Sequence, residues 1–118
     1  MSYDITFKVK VEGTDEWVPV GDCDANITWN VGQIIRESTG LEWKNEENNG
    51  YVIDILPALS NGVHELVTNP QKYKAMESPN GWGTVEGVIR FFGRIAAAYN
   101  DLLEESPEIA KVATFWIE

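Results

Sequence analysis

The stretch TVEGVIRFFGRIAAAYNDLLEESP, residues 84–107, carries the strongest periodic pattern in the chain. Its apolar residues recur at alternating spacings of three and four, which predicts one continuous apolar face on an α-helix of about five turns. Thr84 is a suitable N-cap, Glu86 places a negative charge in the first turn, and Ser106-Pro107 ends the helix. The apolar face consists of Val85, Val88, Phe92, Ile95, Tyr99 and Leu102. Such a face must be buried against a second layer of structure.

The N-terminal third of the chain predicts that second layer. Residues 3–11 alternate apolar with polar or charged side chains, which is the pattern of a half-buried strand. Turn residues at 13–15 lead to a short second strand at residues 17–20, and Pro19 favours an edge position for it. A third alternating segment contains Ile27, Trp29 and Val31.

The middle of the chain predicts further helices. Residues 32–38 form a short helix with Asn30 as N-cap and Gly40 as stop, and residues 44–50 form a polar surface loop. A helix follows at residues 54–68, with Asp54 as N-cap and Pro57 in the first turn. Residues 112–117 form a last strand. This order predicts one α+β domain over residues 1–118, with a mostly antiparallel sheet of about four strands and two main helices on one face.

Charge and composition exclude several classes of protein. The chain has 19 acidic and 9 basic residues, for a net charge of -10, which repels phosphate backbones and anionic membranes. We therefore expect no direct binding to nucleic acid or membrane, whereas a basic protein partner would be attracted. The single cysteine excludes an internal disulfide, and the first residues lack the apolar run of a signal peptide. The sequence therefore predicts a soluble protein of the cytoplasm.

Motifs for catalysis or cofactor binding are missing from the sequence. It contains no phosphate-binding loop, no dinucleotide-binding glycine motif, no H-E-x-x-H and no C-x-x-C. Cys23 and His64 are the one possible nucleophile and base, and nothing in the sequence places them together. We predict no catalytic residue, no metal ligand and no cofactor, and leave open an enzyme that uses acidic residues with a divalent metal.

Asn26, Thr28 and Asn30 form the first of two candidate binding segments. Asparagine is depleted in strands, so two asparagines on one strand face need a reason. A polar row of this kind can offer both hydrogen-bond donors and acceptors to a ligand or partner. The alternative is that Asn26 closes a turn and Asn30 caps the next helix.

The second candidate segment is SPNGWGT, residues 78–84, with Asn80, Gly81, Trp82 and Gly83 at its centre. Two glycines around a tryptophan let the backbone turn tightly, and the indole stands beside the amides of a helix N-terminus, where an anion can bind. The alternative is that Trp82 folds back on the core and the glycines only shape the approach to the helix.

Four stretches of the sequence together suggest a family. They are SYDI at residues 2–5, NITWNVG at 26–32, ILPAL at 55–59 and NPQKYKAMESPNGWGTVEGVIRFF at 69–92, the last with the pattern N-G-W-G-x-x-E-G. This set resembles a group of small bacteriophage and prophage proteins over most of the chain, apart from residues 44–49 and 115–117. The resemblance implies a mobile-element origin and a bacterial cytoplasm, and it implies no reaction.

The leading hypothesis from these observations is a non-enzymatic accessory protein of a phage or prophage that binds a bacterial host or defence protein. The alternative is a module that binds or sequesters a small molecule such as a nucleotide, using Trp82, Asn80 and the row of Asn26 and Asn30. A metal-dependent enzyme is the third hypothesis.

Overall fold

Strand β1, Ser2–Lys10, is the element on which the sheet is built. The computed structural model describes residues 1–118. The other strands are β2 at Trp17–Pro19, β3 at Asn26–Thr28, β4 at Asn48–Tyr51 and β5 at Thr114–Ile117. The helices are α1 at Gly32–Thr39, α2 at Val52–Thr68, α3 at Pro70–Lys74, α4 at Val85–Glu105 and α5 at Pro107–Val112, and a 3-10 turn at Trp29–Val31 precedes α1. The predicted α+β class is confirmed.

All the strands of the sheet pair in antiparallel fashion, in the order β2-β1-β5-β4. The short strand β3 pairs with the first residues of β1, with Tyr3 opposite Ile27, while β2 pairs with the last residues of β1. The C-terminal strand β5 lies between β1 and β4 and places Phe115 opposite Phe7. The end of the chain therefore occupies the middle of the sheet.

One face of the sheet carries the hydrophobic core. Ile5 and Phe7 of β1 and Phe115 and Ile117 of β5 are buried there in one cluster with the apolar faces of α1, α2 and α4. The opposite face carries Trp17 and Trp116, whose ring centroids are 5.5 Å apart, and Lys8 lies over the Trp116 ring. The alternation of residues 3–11 predicted this division. No helix combines the length and apolar character needed to cross a membrane.

Helix α4 agrees closely with its prediction. Every residue of the predicted apolar face is buried, and the Thr84 hydroxyl accepts a hydrogen bond from the Gly87 N–H at 3.0 Å. The helix ends at Glu105, and Gly40 ends α1 in the left-handed conformation, as predicted. Residues 107–112 form a further short helix, so the last strand begins at Thr114 rather than at Val112.

Three other local predictions were wrong. Residues 48–50, the last three of the loop predicted at 44–50, lie in strand β4, because β5 supplies a pairing edge that local sequence does not show. Helix α2 begins at Val52, so Asp54 lies inside the first turn and Pro57 inside the helix. Asn30 makes no capping hydrogen bond, because the 3-10 turn places Val31 at the start of α1.

Gly62 permits the close packing of three helices. It is buried in the middle of α2, where a Cβ atom would lie 2.7 Å from Cγ2 of Thr39 and 3.0 Å from Cε2 of Phe92. A glycine weakens a helix in isolation. Here it allows α2 to approach α1 and α4, so tertiary packing explains its presence.

Candidate functional site

The two segments singled out in the sequence lie side by side in the structure. Their point of contact is Gly83, which has a φ of +88°. A Cβ atom at this position would lie 2.5 Å from Cγ1 of Val31 and 3.0 Å from Cγ2 of Thr28. Gly83 therefore packs the NGWG loop directly onto the segment that contains β3 and the 3-10 turn.

An open pocket of about 570 Å³ lies where the two segments meet. We call it the tryptophan pocket, since Trp29 and Trp82 both line it. Its lining residues are Met1, Ser2, Asn26, Thr28, Trp29, Asn30, Asn80 and Trp82. Five of the seven predicted site residues thus line one surface feature, while Gly81 and Gly83 shape the loop beside it.

Trp82 projects into solvent, with 67% of its surface exposed. The interpretation that this side chain folds back on the core does not hold. Its loop is fixed by short-range hydrogen bonds: the Asn80 side-chain oxygen accepts from the Trp82 N–H at 2.9 Å, and the Ser78 carbonyl accepts from the Gly81 N–H at 3.1 Å. The backbone turn that carries the indole is therefore held by hydrogen bonds, which reduces the backbone entropy lost on binding.

The three asparagines differ in what they can offer a partner. The Asn26 amide nitrogen donates to the Ser2 hydroxyl at 3.1 Å and to the Asp4 carboxylate, so it ties β3 to β1. The Asn80 oxygen stabilises the loop, as described above. Asn30 is exposed and lies beyond the end of β3, so the prediction that Asn26, Thr28 and Asn30 form one strand face is wrong. All three residues nevertheless line the tryptophan pocket.

Trp29 belongs to the site, although the sequence pattern assigned it to a strand face. The strand stops at Thr28, and the following 3-10 turn leaves the indole 38% exposed. The Trp29 ring Nε1–H donates to the Ser2 carbonyl at 2.8 Å, and its ring centroid lies 6.0 Å from that of Tyr3. Tyr3 in turn packs on Trp43, so Trp29 stands at the outer end of an aromatic chain.

A second, smaller pocket of about 290 Å³ shares a wall with the tryptophan pocket. We call it the arginine pocket, because two of the three arginines of the chain line it. Its lining residues are Asn26, Ile27, Thr28, Gly83, Thr84, Gly87, Arg90, Phe91 and Arg94. Neither arginine stands out in the sequence, since two charged residues on the polar face of a long helix resemble ordinary solvated surface.

The N-terminus of α4 is satisfied by groups of the protein itself. The Glu77 carboxylate accepts a hydrogen bond from the Val85 N–H at 2.8 Å, and Thr84 accepts from Gly87. Glu86 adds a further negative charge, and the pKa of its carboxyl is lowered by its own backbone N–H and by Lys74 at 3.4 Å. Glu77 therefore occupies the position that the sequence suggested for a bound anion.

The remaining candidates for chemistry lie apart from both pockets. Burial raises the pKa of the Cys23 thiol, which is the opposite of what an activated nucleophile requires. His64 lines a groove between α2 and α4, and no hydrogen bond joins it to Cys23. No three side chains of the His, Cys, Asp and Glu types are grouped so that they could hold a metal ion.

Comparison of the chain with protein-family models, with curated proteins and with solved structures found no match.

Proposed function

We propose that this chain is a small binding protein that attaches to a protein partner through the tryptophan pocket. The observation that carries the proposal is the exposed Trp82 on an ordered loop next to the partly exposed Trp29. Tryptophan is enriched among residues that dominate binding energy, because a buried indole removes a large apolar area from water and still offers one hydrogen-bond donor.

The exposure of Trp82 favours a protein as the partner that covers this side chain. The lining of the pocket contains Ser2, Thr28, Asn30 and Asn80, and the Trp82 side chain stands clear of the surface. A surface that covers Trp82 has to come from the partner, and the asparagines can satisfy its polar groups around the indole.

The charge of the chain supports a basic partner. A net charge of -10 on 118 residues accelerates the approach of a positively charged protein and slows that of another acidic one. The resemblance to bacteriophage and prophage proteins supports a host or defence protein of the bacterial cytoplasm. An acidic surface of this kind would compete with nucleic acid for a basic groove.

The test is retention of a partner from bacterial lysate by the tagged protein and two variants. Trp82→Ala is expected to reduce retention about 30-fold, which corresponds to the loss of about 2 kcal/mol typical of a dominant interface residue. Tyr51→Ala is the matched control, because Tyr51 is 49% exposed and lines a different pocket.

The control must retain the partner as the wild type does, and the circular dichroism spectra of both variants must match that of the wild type. An unrelated acidic protein of the same net charge serves as a second control, because the lysate proteins that it retains are bound by charge alone. Equal retention by the wild type and by Trp82→Ala would rule out the tryptophan pocket as the binding surface.

A further inference from the structure

Arg90 and Arg94 have an unusual setting for charged residues in this chain. They lie one turn apart on α4 and line the same pocket. All five ion pairs of the structure are made by lysines, so neither arginine has a carboxylate partner. Glu86, one turn before Arg90, forms its ion pair with Lys74. In a chain with 19 acidic residues neither guanidinium group forms an ion pair, although the charge of Arg90 contributes to lowering the pKa of the Glu86 carboxyl.

Two like charges at this spacing repel each other when nothing lies between them. An anion between them would remove that repulsion. The guanidinium group presents its N–H donors in a planar fork that matches the oxygens of a phosphate, and it remains charged at any physiological pH.

The walls of the arginine pocket suit a small tetrahedral anion. Thr28 adds a hydroxyl group on the side opposite α4, and Gly87 carries no side chain on the α4 side. A volume of about 290 Å³ accommodates one phosphate group with space for its ester substituent. The strongly acidic remainder of the chain opposes a polymer of phosphates, so the ligand has to carry its charge at one end.

The tryptophan pocket begins on the other side of the same wall, since Asn26 and Thr28 line both pockets. An anion held between the arginines would therefore lie next to the pocket that Trp29 and Trp82 line. Aromatic side chains bind flat rings by stacking, and this contact tolerates different bases.

We propose that Arg90 and Arg94 form the phosphate site for a small phosphate monoester with an aromatic ring, of the nucleoside monophosphate class. The phosphate lies between the two guanidinium groups, and the ring lies in the tryptophan pocket. This inference shares the tryptophan pocket with the proposed function but requires no protein partner, because Arg90 and Arg94 hold the phosphate and the test uses the purified chain alone.

The experiment is titration of the purified protein with adenosine 5′-monophosphate, inorganic phosphate and adenosine, followed by calorimetry and by tryptophan fluorescence. The monophosphate is expected to bind most tightly and to change the fluorescence. The double variant Arg90→Gln/Arg94→Gln is expected to bind it at least about 30-fold more weakly, because two charge-assisted contacts are lost. Arg36→Gln makes the same chemical change outside both pockets and is expected to bind as the wild type does.

If inorganic phosphate bound as tightly as the monophosphate, the ring contact would be overturned. If the double variant also bound neither ligand, the arginine site would still be supported. No binding of either phosphate at millimolar concentration, or a double variant that binds as Arg36→Gln does, would overturn the proposal. Retention of a protein partner is measured separately with Trp82→Ala, so failure of one proposal is distinguishable from failure of the other.

Discussion

Replacing Gly83 by alanine is expected to lower the free energy of unfolding by about 2–5 kcal/mol. Two costs add at this position. The φ of +88° is one that residues with a Cβ atom rarely adopt, and the new Cβ would lie 2.5 Å from Val31, which is fully buried. Val31 lies between β3 and α1 and cannot give way freely. Urea denaturation followed by circular dichroism measures the change.

Gly81→Ala is the matched control, because it isolates the conformational cost. Gly81 also has a positive φ, of +77°, but no atom lies within 4 Å of an added Cβ. The control is expected to lose about 1 kcal/mol. If both variants lost the same amount, the close packing of the NGWG loop on the 28–31 segment would be wrong.

Replacing Phe115 by alanine is expected to cost about 3–5 kcal/mol, the range for removing a large buried aromatic side chain. Phe115 is 1% exposed, lies opposite Phe7 in the sheet, and meets the Trp43 ring edge-on with centroids 5.5 Å apart. Its strand lies between β1 and β4, so the cavity would open in the middle of the sheet.

Val112→Ala provides the control for the Phe115 variant. Val112 is three residues earlier in the chain and is 51% exposed, so its loss is expected to change the free energy of unfolding by less than about 0.5 kcal/mol. Thermal or urea unfolding of the two variants compares a central with a peripheral position of the C-terminal segment. Similar small losses in both would place β5 at the edge of the fold.

Local sequence was sufficient to predict the elements with strong periodicity and clear end signals. Helix α4 has both, since its apolar face spans the whole helix and Thr84 caps it. Strand β4 has neither, because Asn48-Asn49-Gly50 is a sequence typical of loops and becomes a strand only beside β5. The pairing of β5 with β1 joins opposite ends of the chain, and no local pattern indicates such a contact.

The candidate site also has a part that the sequence predicts and a part that depends on the tertiary structure. Both segments could be identified from composition, because asparagines such as Asn26 and Asn30 are uncommon in strands and Trp82 stands between two glycines. Their meeting at Gly83 depends on the path of the chain through α1 and α2, which composition does not specify. Trp29 was placed in a strand because the strand alternation was continued past Thr28, whereas a 3-10 turn begins at Trp29.

The most direct test of the proposed binding surface is hydroxyl-radical footprinting of the purified protein with and without the partner that it retains from lysate. Oxidation of Trp29 and Trp82 is read by mass spectrometry, with the exposed Tyr51 as internal reference. We expect both tryptophans to be oxidised several-fold more slowly in the complex and Tyr51 to be unchanged, because a hot-spot indole is shielded from solvent once bound. A complex in which Trp82 is oxidised as fast as in the free protein would contradict binding through the tryptophan pocket.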